Sequence, residues 1–539
     1  MKSNNFESYL KYDQNNSFFL HPTDPSEIQV IISNQDSNKT PGDDEITGKL
    51  LKKCPAMFSK LISHIVNTAI DSGKYPEKLK LGKVIPIYKK GDKYDPTNYR
   101  PINLLSTINK IIEKVLYKRL YDYFEKNNII YKYQFGFRHS YSTTMALIEI
   151  TDQIREQLEN KNITIGIYID LTKAFDLVNH KILISKLQTY GIRGPAIELI
   201  KSYLSDRYQY TKVDSAKSDV SKIQCGVPQG SVLGPLFFLM FVNDMQYCTN
   251  AQLRLFADDT NIFISNKDPS IIKQQAEECL NDITKWLQAN ELLLSEDKTK
   301  FSIFVPCKKK IPHILNEIKV NGRIVQRTDS CKYLGVVLDD KLSFDKHINQ
   351  LSKDLIKVIC AFKIVKHWVP NEHKMKLYYA YFHSKLQYGI EIYGTSANKH
   401  IKKIEVLQHK AIKALFNLDP LTPSAYLYHK FKVLPAKDIY SCKIAKFIFN
   451  QIHGDQNNVF SSFFSSIAQC HDNYPNTRNR NKLHIKKVNT VNGSKMVKIR
   501  GAEIWNSLTD VFKQDLMNLS HFQFNKMIKD FYLDKYAGV

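Results

Sequence analysis

The sequence has no closely spaced cysteines. Its nine cysteines are scattered, and the nearest two along the chain, Cys225 and Cys248, are 23 residues apart. No CxxC motif occurs, so neither a zinc knuckle nor a disulfide framework is indicated. We therefore expect a reducing, intracellular setting.

The chain also lacks long apolar runs. No uninterrupted apolar stretch reaches the roughly 18 residues that a membrane-spanning helix needs, and the N-terminal sequence MKSNNFESYLKYDQNNS is too polar for a signal peptide. We expect no membrane partner. With 539 residues, of which 43% are hydrophobic and 12% aromatic, the composition is that of a globular protein with several domains.

Acidic residues are outnumbered, because 77 Lys and Arg stand against 53 Asp and Glu, a formal net charge of +24. Residues 341–539 hold 31 basic and 14 acidic residues and so carry +17, which leaves +7 for residues 1–340. This asymmetry favours a polyanionic partner bound mainly by the second part of the chain. The alternative explanation is that the excess positive charge only keeps the protein soluble and binds no partner.

Two apolar runs flank the acidic pair Asp258-Asp259 in the segment LRLFADDTNIFI, residues 253–264. The pattern predicts two antiparallel strands joined by a tight turn. Adjacent carboxylates repel each other, and holding both ionised on a rigid hairpin usually needs a cation between them. Mg²⁺ binds carboxylate oxygens and keeps positions open for substrate phosphates. An ordinary solvated Asp-Asp turn is the alternative.

A third carboxylate, Asp170, ends the segment 165–169, whose β-branched and aromatic residues predict a buried strand. A charge there is costly unless it is paired or bound to a metal. Asp170 precedes Asp258 by 88 residues, which is ample for neighbouring strands of one sheet. Three carboxylates that converge there would form a two-metal site for phosphoryl transfer.

Residues 84–102 have the pattern of a strand, a basic turn and a second strand. Lys89 and Lys90 lie in the turn and Arg100 follows it. Arg with its bidentate fork and Lys as a point charge suit a triphosphate, although a solvated basic hairpin is the bland alternative.

The segment CGVPQGSVLGPLF, residues 225–237, predicts a glycine-rich turn that opens a helix reaching Asp244. Its glycines would let the backbone approach a bulky group such as a base pair.

Further helices are predicted elsewhere in the chain. Some are indicated by apolar residues at helical spacing, and others by capping or turn residues that mark a helix start. The periodic segments are 107–127, 143–159, 271–287 and 522–536, and the predicted helix starts are at Thr23–Glu27, Asp43-Asp44 and 171–176.

The ordered blocks that carry a resemblance are PGDDEI, VIPIYKKGD…NYRPINLL, QFGFRHSYST, YIDLTKAFD, GVPQGSVLGPLFF, FADD, LLLSEDKTK and CKYLGVVLD. Together they resemble the reverse transcriptase of non-LTR (LINE-like) retrotransposons, in particular jockey-type elements, over roughly residues 36–340. The resemblance implies an α+β right-hand polymerase, with fingers, a palm with an antiparallel sheet, a helical thumb and a mainly helical, basic C-terminal extension. It also implies an RNA-directed DNA polymerase that extends a DNA 3′-hydroxyl on an RNA template with dNTPs.

The resemblance further implies a role for each matching residue. Asp170, Asp258 and Asp259 correspond to the ligands of two Mg²⁺ ions, for which Mn²⁺ can substitute. Lys298 corresponds to the lysine that protonates the pyrophosphate leaving group, and Phe175 to the bulky residue that blocks a ribose 2′-hydroxyl. The residues that correspond to nucleotide and template contacts are Lys89, Lys90, Arg100, Gln229, Gly230 and Ala257.

We predict a polar leader (1–35) with a frayed start, fingers and palm (36–340), a helical thumb with its extension (341–450), a linker (451–475) and a basic C-terminal region of unknown role (476–539). The expected partners are template RNA, primer or target DNA, and dNTPs. We expect a ribonucleoprotein in the nucleus, the cytoplasm or both. The oligomeric state is not predicted.

Two features of the family are missing from the pattern. About 35 residues precede the first block, too few for the endonuclease domain of many such elements, and no ribonuclease H segment is evident. A truncated copy, a partial gene or a nick made by another protein would each explain this. Two other interpretations stay open: a group II intron reverse transcriptase and maturase, which the C-terminal pattern disfavours, and a non-catalytic RNA-binding relic, which the intact carboxylates disfavour.

Overall fold

The computed structural model describes residues 5–11, 16–306, 309–454, 459–461, 463–470, 482–512 and 519–537. Its helices are α1 (Pro25–Ser33), α2 (Gly48–Lys53), α3 (Pro55–Ser72), α4 (Thr107–Lys126), α5 (Thr143–Glu159), α6 (His180–Thr189), α7 (Pro195–Leu204), α8 (Leu233–Val242), α9 (Pro269–Ala289), α10 (Asp345–Val365), α11 (Asn371–Leu377), α12 (Ser384–Gln387), α13 (Ile390–Tyr393), α14 (Asn398–Phe416), α15 (Ser424–Phe431), α16 (Ala436–His453), α17 (Ile467–Cys470), α18 (Val491–Ser494), α19 (Val497–Phe512) and α20 (His521–Asp534).

The strands alternate with helices in the first part of the chain and dominate it between residues 300 and 339. They are β1 (Leu81–Tyr88), β2 (Tyr99–Leu104), β3 (Ile163–Ile169), β4 (Arg207–Val213), β5 (Ala216–Lys217), β6 (Ser221–Ile223), β7 (Leu253–Phe256), β8 (Asp259–Asn266), β9 (Lys300–Phe304), β10 (Ile318–Val320), β11 (Arg323–Arg327), β12 (Ser330–Tyr333) and β13 (Val336–Asp339).

The chain folds into two units whose segments interleave. The first unit comprises residues 1–140, 168–261 and 277–299, and the second comprises residues 141–167, 262–276 and 300–539. The five segments proposed from the sequence stay a prediction. No helix in the described ranges is both long and apolar enough to cross a bilayer.

One sheet of the first unit has the order β2-β1-β4-β5, with β6 also paired to β4. β1 and β2 run antiparallel from Lys83↔Leu104 to Tyr88↔Tyr99, which confirms the predicted strand–turn–strand. β1 and β4 run parallel. Helix α8 supplies a core to this unit because it is apolar on every side and almost wholly buried.

A second sheet has the order β10-β11-β9-β3-β8-β7. All seven residues of β3 are buried, as the unbroken apolar run predicted. β3 and β8 are neighbours in this sheet, so the predicted adjacency of the two acidic segments is confirmed. A separate two-stranded sheet pairs β12 with β13.

The second unit is mainly helical after residue 345, as the sequence predicted for residues 341–450. α10 packs along α14, and both helices bury apolar residues at three- and four-residue spacing. The protein is therefore a mixed fold of helices and sheets with a helical C-terminal part. Part of the predicted basic segment, residues 476–481, lies outside the described residues.

Two predicted helices follow the predicted turns but begin later than the sequence indicated. Leu171 forms a bridge with Leu294 and residues 172–176 form turns. Helix α6 begins only at His180, where the Asn179 side chain accepts the N–H groups of the first turn. Asp43 and Asp44 open no helix, because they accept hydrogen bonds from the hydroxyls of Tyr210 (2.5 Å) and Ser106 (2.5 Å).

Two smaller expectations also fail. Phe18 in the supposedly frayed leader is buried, and its N–H donates to the carbonyl of Gly191. Ile271, assigned to the apolar stripe of α9, is exposed, whereas Ile272 beside it is fully buried. The other members of the predicted stripe, from Ile272 to Leu287, are buried, so Ile271 lies just outside the edge of the stripe.

Candidate active site

Asp170 follows the last residue of β3 and is held by a neighbouring segment. Its carbonyl accepts the N–H of Ser295 at 2.9 Å, and Thr172 donates to the carbonyl of Leu293 at 2.9 Å. Ser295 in turn starts the turn that carries Lys298. The Lys298 ammonium lies 3.3 Å from Oδ1 of Asp170. Because the two side chains are 64% and 41% exposed, this ion pair adds little to stability and is free to exchange for substrate contacts.

Asp258 and Asp259 lie where β7 turns into β8, with Ala257 before them. Ala257 has a φ of +57°, a left-handed conformation that is uncommon for a residue with a Cβ. Its N–H is held by the side-chain oxygen of Gln134 at 3.1 Å. A Cβ added at Gly136 would lie 2.5 Å from the same nitrogen. The predicted hairpin is confirmed, and the segment containing Gln134 and Gly136 fixes its turn.

Gln134 and Gly136 are residues whose part in the site the sequence did not reveal. The block QFGFR was recognised as a turn within the resemblance, without a role. In the structure it lies along β7, with a bridge between Gln134 and Leu255 and a hydrogen bond from Phe135 to the carbonyl of Leu255 at 2.8 Å. The local sequence around Gln134 and Gly136 carries no signal of this contact, because the contact joins segments about 120 residues apart.

The three carboxylates are close enough to perturb one another electrostatically. Burial, then the charge of Asp258 and then that of Asp170, raises the pKa of Asp259 to about 6. Burial raises the pKa of Asp258, with a further rise from Asp170, and the positive charges of Arg100 and Lys89 offset part of it. Both side chains still reach solvent. The site is thus a negative cluster that neighbouring basic residues only partly compensate.

The oxygen-only donor set of this cluster is chemically suited to Mg²⁺. Within the described ranges, however, no three Asp, Glu, His or Cys side chains are arranged closely enough to form a ready metal cage. Asp170 is paired with Lys298 instead. The three carboxylates thus fit Mg²⁺ by their charge and by their oxygen donors, although their side chains are not arranged as a metal cage.

Phe175 belongs to the turns that follow Asp170 and is half-buried. Its ring stacks on Phe238 of α8, with centroids 4.3 Å apart and planes at 20°, and meets Phe137 edge-on at 6.1 Å. Its carbonyl accepts the N–H of Val227 at 2.9 Å. The ring is thus fixed in place by core packing, and the same turn anchors the glycine-rich loop.

The loop that contains Gln229 and Gly230 is tied down at several points. The Gln229 amide donates to Oδ1 of Asp176 at 2.8 Å, and its carbonyl accepts the N–H of Asn103 at 2.7 Å. Gly230 has a φ of +124°, and a Cβ there would lie 2.5 Å from the carbonyl oxygen of Asn103. Gly226 and Gly230 both admit a neighbouring segment of the protein's own backbone. That these glycines also admit a base pair stays a prediction.

Lys89 and Lys90 follow β1 at the tip of the β1–β2 hairpin, and Arg100 lies opposite Ile87 in the register. All three basic side chains are exposed. The tip is shaped by Asn98, whose carbonyl accepts the N–H of Lys89 at 2.9 Å. The hairpin therefore presents positive charge to solvent, within electrostatic range of Asp258.

The segment that contains this site is similar to a known protein family. A family model described as reverse transcriptase (RNA-dependent DNA polymerase) matches residues 87–338. The matched segment contains every site residue named above, from Lys89 to Lys298.

Proteins similar to this chain come from mobile elements of Drosophila melanogaster. The RNA-directed DNA polymerase from mobile element jockey is 28% identical over 422 residues, which cover 76% of this chain and 45% of that protein. The probable RNA-directed DNA polymerase from transposon X-element is 28% identical over 78% of this chain and 47% of its own length, and that from transposon BS is 29% identical over 74% and 45%. The chain spans about half the length of the curated relatives it matches.

Proposed function

We propose that this protein is an RNA-directed DNA polymerase of a non-LTR retrotransposon, which extends a DNA 3′-hydroxyl on an RNA template with dNTPs. The observation that carries this proposal is the meeting of Asp170, Asp258 and Asp259 at neighbouring strands β3 and β8 of the reverse transcriptase domain. The named relatives support a mobile-element origin over a group II intron maturase.

Reverse transcriptases generally use divalent metal ions. We assign Asp170, Asp258 and Asp259 as the residues that would hold two Mg²⁺, with Mn²⁺ as a substitute. The ions would lower the pKa of the attacking 3′-hydroxyl and neutralise charge on the leaving phosphates. The mutual repulsion of the carboxylates supports this assignment, because a cation would relieve it.

The remaining residues act on the nucleotide and its leaving group. Lys298 Nζ, exposed and loosely held by Asp170, is free to donate a proton to the departing pyrophosphate. Lys89, Lys90 and Arg100 bind the triphosphate, for which their exposed positive charge is suited.

The nucleotide pocket is formed by residues of two adjoining segments. The fixed ring of Phe175 occupies the space of a ribose 2′-hydroxyl. Gln229 and Gly230 contact the incoming nucleotide and template, and Ala257 leaves room for the primer end because its side chain is a single methyl group. The bond from Gln229 to Asp176, the residue after Phe175, supports placing both in one pocket.

The polyanionic partners are template RNA and the growing duplex. α10 and α14 expose lysines at helical spacing, among them Lys353, Lys357, Lys403 and Lys410. The ammonium of Lys403 donates to Asn349 of α10 at 2.9 Å, so the lysines of both helices share a face. We place the sequence-independent phosphate contacts on this lysine face, and the complex in a ribonucleoprotein of the nucleus, the cytoplasm or both.

Primer extension by the purified full chain tests the proposal. A labelled DNA primer annealed to an RNA template is expected to lengthen with dNTPs and Mg²⁺, and to stay unextended with rNTPs or with a chelator. Omission of the template is the matched control for untemplated addition. A folded protein that binds the RNA and extends no primer would favour the non-catalytic relic.

A further inference from the structure

Helix α4 contains a buried glutamate that core packing does not explain. Glu113 is 0% exposed, and burying a carboxylate costs several kcal/mol unless hydrogen bonds repay it. Burial accordingly raises the pKa of Glu113. The sequence predicted α4 as a core-facing helix without a functional role.

Three donors from three separate segments converge on this carboxylate. The Tyr203 hydroxyl of α7 and the Asn109 side-chain amide of α4 each donate to Oε1 at 2.7 Å. The backbone N–H of Val232 donates to Oε2. Asn109 is held in turn by the hydroxyl of Tyr75 at 2.7 Å. Only a carboxylate accepts all three, because a glutamine would present its own N–H groups to one of these donors.

Val232 is the residue at which the glycine-rich loop becomes helix α8. The other end of this loop is fixed by Gly226, which donates to the carbonyl of Val178 at 2.8 Å. Between the two ends lie Gln229 and Gly230. Glu113 therefore holds the C-terminal end of the segment that contains both residues.

We propose that Glu113 is a positioning residue for the nucleotide pocket, which sets the conformation of residues 228–232 through the N–H of Val232 and so aligns Gln229 and Gly230. The inference rests on the proposed polymerase function for its kinetic consequence. Its structural consequence, a restrained loop, is independent of any activity.

Two measurements on the full chain test this role. In Glu113→Gln, amide hydrogen exchange across residues 228–236 is expected to accelerate about tenfold. The reason is that the side-chain N–H of the glutamine would face the N–H of Val232, so the hydrogen bond that anchors the loop would be lost. In single-nucleotide incorporation on an RNA template, KM for the dNTP is expected to rise about tenfold while kcat changes much less. Asn109→Ala, which removes a single bond to Glu113 from its own helix, is expected to shift both quantities in the same direction by a smaller factor.

The matched control is Glu391→Gln, which alters another buried glutamate with a raised pKa, in the second unit. It is expected to change neither loop exchange nor KM. Unchanged exchange of residues 228–236 in Glu113→Gln would overturn the proposal. If Glu113→Gln fails to fold, Asn109→Ala decides by the same two measurements. If the wild type extends no primer, the polymerase proposal fails, and the exchange data alone still decide the role of Glu113.

Discussion

Phe175 is a residue whose packing and proposed specificity can be separated by substitution. The ring stacks on Phe238 and is half-buried, so its position is fixed before any nucleotide binds. Phe175→Val is expected to keep dNTP use and to admit rNTPs, because it removes a clash with the 2′-hydroxyl rather than a contact with the substrate. The ratio of kcat/KM for dCTP over rCTP is expected to fall at least about tenfold, equivalent to about 1.4 kcal/mol.

A control separates sugar discrimination from loss of packing. Phe137→Leu removes another ring that contacts Phe175 without placing a β-branched side chain at the positive φ of residue 137, and it should leave the dCTP to rCTP ratio near the wild-type value. Equal discrimination by wild type and Phe175→Val would make Phe175 an ordinary core aromatic.

Among single residues, the candidate site residues that could be predicted are the ones that lie in short, distinctive sequence motifs. Asp170, Asp258 and Asp259 stand at the ends of apolar runs, where an isolated charge already needs an explanation. Gln134 and Glu113 were missed because their partners, Ala257 and Val232, are more than 100 residues away. The residues next to a side chain in the sequence do not indicate with which distant backbone N–H that side chain will form a hydrogen bond.

At the scale of elements, the C-terminal segment is built onto helix α5. Asp152 is buried, and its two oxygens accept the N–H groups of Val497 (2.8 Å) and Lys498 (3.0 Å), at the start of α19. An anion at this position stabilises the helix through its unpaired N–H groups and dipole. The start of α19 is therefore part of the fold of the second unit.

Further polar contacts extend along the same face of α5. The Arg155 guanidinium, also buried, donates to the carbonyl of Lys495 at 2.6 Å and to the Thr395 hydroxyl at 2.9 Å. Glu159 accepts the N–H of Thr490 at 3.1 Å. Because these residues recur three and four positions apart, a single helical face anchors the segment.

Asp152→Asn is expected to destabilise the second unit by about 2 to 3 kcal/mol, because an amide accepts only one of the two N–H groups and leaves the other buried and unpaired. Urea unfolding measures the change, and limited proteolysis should cut sooner between residues 482 and 498.

Glu156→Gln is the matched control for the loss of a charge from α5. Glu156 pairs with Lys498 at 2.7 Å at a partly exposed position, so its loss should cost less than about 1 kcal/mol. Equal costs for the two substitutions would contradict the anchoring role of Asp152.

Most helices and strands could be predicted from the spacing of apolar residues along the sequence. The helix boundaries that were misplaced share one cause. α4 and α5 begin where the sequence placed them, each capped by a serine. Asp43 also has a residue type that caps helices, but it binds Tyr210 instead, so a tertiary contact replaced the local one. The strand order of the six-stranded sheet was beyond prediction, because β9 joins β3 and β11 through contacts that no local pattern encodes.

For the whole molecule, the excess of positive charge in residues 341–539 predicts that this part binds RNA, and truncation cannot test that prediction. Removing residues after 340 would take away the partners of the buried Asp152 and Arg155, so the remaining chain would not fold as it does here. Substitution of surface lysines leaves these contacts in place.

Replacing Lys353, Lys357, Lys403 and Lys410 by glutamine is expected to weaken RNA binding. If each lysine meets a phosphate, the slope of log affinity against log salt becomes shallower by about 3. The control is the same change at four exposed lysines elsewhere in the second unit, Lys432, Lys437, Lys486 and Lys526. Equal slopes for both variants would mean that charge anywhere on the unit suffices and that the lysine face is no binding site.

We propose that Asp170 and Asp258 take part in the chemistry of nucleotide addition and are not required to hold the fold. The most direct measurement is the single-turnover incorporation of one dNTP on an RNA template, with RNA affinity measured on the same samples. Asp170→Asn and Asp258→Asn are expected to slow incorporation by on the order of 10³-fold or more, about 4 kcal/mol, while RNA affinity stays near that of the wild type. Asp219→Asn, at an exposed acidic residue outside the site, should incorporate normally. Wild-type rates from either site variant would mean that these carboxylates are not metal ligands of the reaction.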